Sequence, residues 1–310
     1  MATGPALPST PDPLPLGALS DPILVDPGPR LLRAVVEAYR EAAPALVEPS
    51  VAELAGEAHG DGGEGDRDPS GLPPLNVFAG EPAVDAMTAG FRPASRLAAL
   101  LDADAIDLRV LDTPQPNPVL VGAETGFALI GSERDGAGGE TSEETTGAVS
   151  RWHRIGDDAT LRERYAPRFA AAEPYRLRTP SRRRVYEGFA TRCDESVAAA
   201  VLRALDAEVG ADSRGAAGPD SEETRVRAYA VGAREGALDR TLRRACEDAG
   251  LGSPSTFTRI KRLLREAELI ETVSEPQPVG RPRERLAARG ALAAAETAEE
   301  TVAAVRGVTG

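Results

Sequence analysis

Between residues 253 and 265 the sequence SPSTFTRIKRLLR places Ser255, Thr258, Arg259, Arg262 and Arg265 at steps of one and three. That spacing gathers side chains on one face of a helix. Hydroxyls and guanidinium groups grouped this way suit hydrogen-bonded recognition, not bond making. An arginine can donate two parallel hydrogen bonds to the edge of guanine, and serine or threonine can bond a base edge. Ser253 and Thr256 stand at the start of the same stretch, and Lys261 lies on its flank. Farther on, Arg281, Arg283 and Arg285 alternate behind Gly280, so they share one face if the chain is extended there. Arginines so placed suit phosphates or a narrow minor groove.

The elements that must hold these groups are legible around them. Phe257, Ile260 and Leu264 fall opposite the polar face, so residues 254–268 are expected as a two-faced helix. Ser253 is its N-cap and Pro254 its first position, both favourable helix starts. Before it, Leu238, Leu242, Ala245, Cys246 and Ala249 recur at i, i+4, i+7, i+8 and i+11, an apolar stripe ended by Gly250 as a left-handed cap. Two helices joined by the short turn Leu251-Gly252 make a helix-turn-helix. Leu269–Val273 is a strand candidate, and Gly280–Arg285 leads into its return strand, the shape of a wing. The DNA-binding set expected from this reading is Ser253, Ser255, Thr256, Thr258, Arg259, Lys261, Arg262, Arg265, Gly280, Arg281 and Arg283. Local charge agrees, because residues 224–286 hold 13 bases and 9 acids, a balance of +4, where the whole chain carries −13. The remainder, at −17, repels phosphate.

The rest of the chain supplies a frame. Ile23–Val25, Leu75–Phe78, Ile106–Leu111, Val119–Val121, Phe127–Ile130 and Val149–Ile155 read as strands, interleaved with helical stretches. The expected fold is an α/β N-terminal domain, a mixed sheet with flanking helices, plus a C-terminal winged helix-turn-helix domain. Residues 1–20, rich in Pro, Ser and Gly, read as a disordered tail, and residues 21–180 as the α/β domain with acidic loops at 56–71 and 131–147. Residues 181–222 read as one connecting helix and a linker, 223–286 as the winged domain, and 287–310 as a C-terminal helix or tail. In that tail Ala291, Ala295, Ala298, Val302 and Val305 keep a heptad-like spacing, which suits either close pairing of two copies or a docked terminal helix.

Composition excludes several chemistries. Lys261 is the only lysine, so a Walker loop or a Schiff-base lysine has no place elsewhere. The run Gly60–Gly65 matches the dinucleotide pattern GxGxxG, but it precedes no helix and its acids would repel a pyrophosphate. His59, His153, Cys193 and Cys246 do not have zinc-site spacing, and the two cysteines read as reduced core residues. Asp107, Asp112, His153 and Asp157 lie near strand ends with no nucleophile elbow, metal-ligand cluster or phosphate loop. No catalytic, metal or cofactor site is therefore expected, and the chain is not read as an enzyme. No run nears 18 apolar residues, so the expectation is a soluble cytoplasmic protein with no membrane contact. An acidic, arginine-for-lysine composition points to a salt-rich cytoplasm and a halophilic archaeon.

The run Gly252–Arg259 and the element Val279–Arg283 resemble the C-terminal winged helix of haloarchaeal TbsP-type transcriptional regulators. The likeness extends through Ile23–Leu32, Phe91–Leu101 and Tyr175–Pro180, and so covers most of residues 21–290. It implies an N-terminal sensor-like domain, distantly similar to TrmB-like effector domains, ahead of a DNA-binding domain. On this reading the chain is an effector-responsive, sequence-specific regulator of transcription. Helix 254–268 reads the major groove of double-stranded DNA, while the 280–285 wing engages backbone or minor groove. A homodimer follows from the motif's usual use on palindromes, and a small-molecule effector from the resemblance. The competing readings are a winged helix used for protein or RNA contacts, and an enzyme with an accessory winged helix.

Overall fold

Short apolar runs bounded by glycine, proline or aspartate become strands, and the amphipathic stretches between them become helices. The computed structural model describes residues 4–8, 13–59, 71–131, 151–156, 159–208, 218–276 and 282–308. In chain order they form β1 (Ala6–Leu7), β2 (Leu14–Pro15), β3 (Ile23–Val25), α1 (Pro29–Ala42), α2 (Pro44–Val47), α3 (Val51–His59), β4 (Leu75–Ala79), α4 (Glu81–Met87) and α5 (Phe91–Asp102). Next come β5 (Ile106–Val110), β6 (Val119–Val121), β7 (Gly126–Ile130), β8 (Arg151–Gly156) and α6 (Thr160–Ala171). The C-terminal part holds α7 (Arg182–Arg192), α8 (Glu195–Asp206), α9 (Ser221–Arg234), α10 (Asp239–Asp248), α11 (Pro254–Glu266), β9 (Ile270–Glu275), β10 (Arg283–Ala288), α12 (Gly290–Ala294) and α13 (Ala298–Val305). Backbone proximity divides the chain into two units: residues 1–44, 66–87 and 100–176, and residues 45–65, 88–99 and 177–310.

The first unit is built on a mixed six-stranded sheet in the order β5-β4-β3-β6-β7-β8. Strands β3, β4 and β5 run parallel, and β6, β7 and β8 continue antiparallel from β3. The two halves follow from their connections: parallel neighbours need a crossover, whereas a turn of a few residues suffices for the β6–β7 hairpin. That turn closes with the Gly122 N–H donating to the Thr125 carbonyl at 2.8 Å. Leu31, Leu32, Val35, Val36 and Tyr39 line one buried side of α1. Ile23, Val25, Phe78, Leu111 and Val121 form a second apolar layer with Tyr165 and Phe169 of α6. Arg109 reaches the orphan carbonyls at the end of α6, donating to Ala170 at 3.0 Å and Ala172 at 3.4 Å.

Two expectations from the first seventy residues need correction. Composition makes residues 1–20 a disordered tail, yet β1 and β2 pair and a tight turn follows at Leu16–Ala18. Leu7 and Leu16 are fully buried, so two leucines anchor a segment whose prolines and glycines suggest no core. The acidic stretch at 56–71 begins as helix, since α3 runs to His59. The Gly60–Gly65 run, most of both acidic loops, Val149 and Asp157 lie outside the described residues.

The second unit is helical, with α9 at its centre. Thr224 and every residue from Val226 to Ala233 of α9 are buried, the pattern of a helix surrounded on all sides. Residues 181–208 are expected as one connecting helix but form two, because Asp194 turns the chain and caps α8, its Oδ1 accepting the Val197 N–H at 2.9 Å. Their apolar residues Val185, Phe189, Val201, Leu202 and Leu205 enter the same core as Phe257, Ile260 and Leu264 of α11. Close approach is possible because glycine faces the partner helix twice. A Cβ on Gly188 would stand 2.6 Å from the Ala249 nitrogen, and one on Gly232 would stand 2.2 Å from Leu242 Cδ1. The C-terminal segment is two short helices, and Leu292, Val302 and Val305 are buried in this core. Docking within the chain, not pairing between copies, accounts for the small-residue stripe at Val302 and Val305.

Candidate nucleic-acid interface

Three successive helices of the second unit end in the same way. At the end of α9, Gly236 sits at φ 69° while the Ala237 N–H bonds the Gly232 carbonyl. At the end of α10, Gly250 sits at φ 75° while the Leu251 N–H bonds the Cys246 carbonyl. At the end of α11, Glu268 takes φ 56° while the Leu269 N–H bonds the Leu264 carbonyl. Each is a Schellman termination, which turns the chain sharply after the last helical residue and satisfies otherwise orphaned carbonyls. The second of these, followed by Ser253 capping α11, makes the turn between α10 and α11.

The orientation of α11 is set by packing. Phe257, Ile260 and Leu264 are fully buried, and the Phe257 ring stacks on Tyr229 with centroids 5.8 Å apart. Ser255, Thr258, Arg259, Arg262 and Arg265 are exposed on the other side, as the spacing requires. Ser253 Oγ lies 2.8 Å from Ser255 Oγ and 3.1 Å from Thr256 Oγ1, so three hydroxyls cluster at the start of the helix. Arg262 is 69% exposed, and its Nε lies 3.7 Å from Glu266 Oε1. Arg259 is half-exposed and ion-paired, its Nη1 lying 2.8 Å from Glu222 Oε1 of α9. Arg265 has no side-chain partner among the described residues.

Lys261 departs from its expected place. Its side chain is only 15% exposed, and its Nζ lies 3.2 Å from Asp239 and 2.7 Å from Glu284. Asp239 is buried at the start of α10 and also accepts from the Tyr229 hydroxyl at 2.5 Å and from Arg243 Nη2 at 2.7 Å. Arg243 in turn donates to Thr258 Oγ1 at 3.3 Å. One buried carboxylate thus ties α9, α10, α11 and β10 together, and the lysine is engaged inside the domain. Burial, reinforced by the bond to Asp239, holds the Tyr229 phenol above its ordinary range, so it remains a donor.

Sequence reasoning missed Arg240 and Arg244. They are exposed, one turn apart on α10, and without a side-chain partner among the described residues. Their i, i+4 spacing opposite Leu242 and Cys246 was the available signal.

Strands β9 and β10 form the expected hairpin, with Arg283 opposite Glu275 and Ala288 opposite Ile270. Arg283 is exposed and unpartnered among the described residues. Arg285, on the same face, is not free: it bonds Glu275 at 3.1 Å and the Gly236 carbonyl. Leu238 bridges Arg285 beside the hairpin, adding a third extended segment to it. Gly280 and Arg281 lie outside the described residues. The cysteines are unpaired; burial pushes the Cys193 thiol up to about 11 and holds that of Cys246 well above its ordinary value. Both stay protonated near neutral pH, as core residues do. No helix among the described residues is long and apolar enough to cross a membrane.

Comparison with known proteins agrees with this architecture. Searches of the curated proteins and of the solved structures return no match. Residues 64–180 match the model of the TbsP-like transcriptional regulator N-terminal domain. Residues 181–306, beginning at the cap of α7, match that of the TbsP-like C-terminal HTH domain. With both halves matched in order, the chain belongs to the TbsP-like transcriptional regulators.

Proposed function

We propose that this protein is a sequence-specific DNA-binding regulator that lays α11 in the major groove. The observation that carries this reading is the division of α11: one face wholly buried and pinned through Asp239, the other presenting Ser255, Arg259 and Arg262 to solvent. A helix so held can present hydrogen-bond donors to base edges without first ordering its backbone. Arg283, with Gly280 and Arg281 beyond it, engages backbone or minor groove from the hairpin. Arg240 and Arg244 on α10 add phosphate contacts at the flank, and Lys261 acts through positioning. The wing and helix work as one of two copies on a palindrome, and the first unit receives a small-molecule effector. The acidic balance of the chain suits a salt-rich cytoplasm of a haloarchaeon.

Selection of random double-stranded DNA by the purified protein in about 2 M KCl tests the reading, because that salt screens non-specific phosphate attraction. A two-fold symmetric enriched motif is the expected result. No enrichment, alone or with cell metabolites added, overturns it, and preferred capture of single strands or RNA favours a different partner.

A further inference from the structure

The Arg259–Glu222 pair is a curious placement for a domain meant to meet phosphates. Glu222 lies in the first turn of α9, beside the exposed face of α11, and is about as exposed as its partner, 40% against 45%. Its two acidic neighbours have evident structural work. Asp220 caps α9, accepting from the N–H groups of Glu222 and Glu223 at 2.9 Å each. Glu223 binds the buried Arg227, which itself ties α9 to the carbonyls of Ala204 and Ala207. Glu222 has one side-chain contact among the described residues, and that is the arginine.

We infer that Glu222 is a positioning residue for base reading, and that it aims the Arg259 guanidinium at one guanine. The inference rests on the DNA reading above. A guanidinium carries five N–H donors, and Glu222 is ion-paired with it on the Nη1 side, 2.8 Å away. Enough donors remain for the two parallel bonds that recognise O6 and N7 of guanine. Arginine has a long, rotamer-rich side chain, and holding it beforehand lowers the entropy lost on reading a base. The opposite flank of α11 is held in the same manner, by Arg243 on Thr258 and Asp239 on Lys261. There the supporting carboxylate is buried, whereas Glu222 stands where it can act only on a side chain that itself reaches solvent.

Two roles for Glu222 predict opposite signs. A carboxylate that merely sits near DNA repels it, so removing the charge strengthens binding to every sequence alike. A carboxylate that aims Arg259 weakens operator binding when removed, although the domain gains one unit of positive charge. The experiment is a selection of random double-stranded DNA, followed by titration of the enriched operator and of a scrambled duplex. It uses the full-length protein as wild type, Glu222→Ala, Glu222→Gln, Arg259→Ala and the double variant Glu222→Ala/Arg259→Ala. Thermal unfolding of each variant accompanies the titrations to separate folding from binding. The expected result is that Glu222→Ala loses roughly 5- to 30-fold in operator affinity relative to scrambled duplex. Its motif relaxes at one guanine, Arg259→Ala relaxes the same position, and the double variant loses no more than Arg259→Ala alone. Glu222→Ala binding both duplexes more tightly with an unchanged motif overturns the inference and leaves the DNA reading intact. Relaxation by Arg259→Ala at a position Glu222→Ala leaves strict does the same. A wild-type protein that enriches no motif overturns both.

Discussion

Lys261 and Arg262 are neighbours on α11 with the same charge, and the two flanks of the helix treat them in opposite ways. Lys261 is drawn between Asp239 and Glu284 and is 15% exposed, whereas Arg262 is 69% exposed and, among the described residues, is ion-paired only with Glu266. One cation is a structural tie and the other is available to a partner. The difference comes from one step of about 100° around the helix, which turns Lys261 toward α10 and β10. A count of basic residues therefore overstates the charge that α11 presents to solvent.

The sharpest way to break this comparison is to remove the acid beneath the buried flank. Asp239→Ala leaves Lys261 and Arg243 without their shared carboxylate and the Tyr229 hydroxyl without its acceptor. It is expected to cost about 3–5 kcal/mol, measured by chemical denaturation, because a buried charge loses its compensation. A loss below 1 kcal/mol would mean that the network does not hold the helix. Gly188→Ala comes next, since the added carbon meets the Ala249 backbone at 2.6 and 2.8 Å and backbone cannot move aside. Overpacking of this kind costs about 2–3 kcal/mol. Unfolding midpoints of the variant and wild type decide it, and an unchanged midpoint would show that α7 and α10 do not meet so closely.

Arg262→Ala and Lys261→Ala sharpen the same comparison on the binding side. Arg262→Ala is expected to lose about 1–3 kcal/mol of specific DNA affinity with unaltered unfolding. Lys261→Ala is expected to lose stability first, with DNA affinity recovered once the folded fraction is accounted for. Fluorescence-anisotropy titrations beside denaturation curves separate the two, and equal behaviour of both variants would dissolve the distinction between the flanks. The smallest effect belongs to the end of α11. Glu268→Gly relieves a left-handed residue at φ 56° and should stabilise the domain by about 0.5–1 kcal/mol, visible as a higher midpoint.

The frame of the site is largely legible in the sequence. The periodicity of Phe257, Ile260 and Leu264, the Ser253-Pro254 start and the Gly250 stop place α10 and α11 within a residue or two of their observed ends. Period and cap chemistry are local, so they survive in the linear chain. The β6–β7 hairpin was equally plain, because apolar runs joined by a glycine-bounded loop of five residues have few other outcomes. Harder to see were the turn at Asp194, where a favourable capping residue sits inside an otherwise continuous helical pattern, and the burial of Leu7 and Leu16 in a proline-rich start.

The sequence by itself determined where α10 and α11 begin and end, which face of α11 is apolar, and that a basic segment stands in an acidic chain. Those properties depend on residues a few positions apart. Only the tertiary structure decided which cations are spent. Asp239 is 22 residues from Lys261 and Glu284 is 23 residues away, while Glu222 meets Arg259 from 37 residues back. An ion pair forms through space where helices cross, and the distance along the chain carries no information about that crossing. The same reason places Val302 and Val305 of the tail in the core with α9, although their spacing alone would equally suit a second copy.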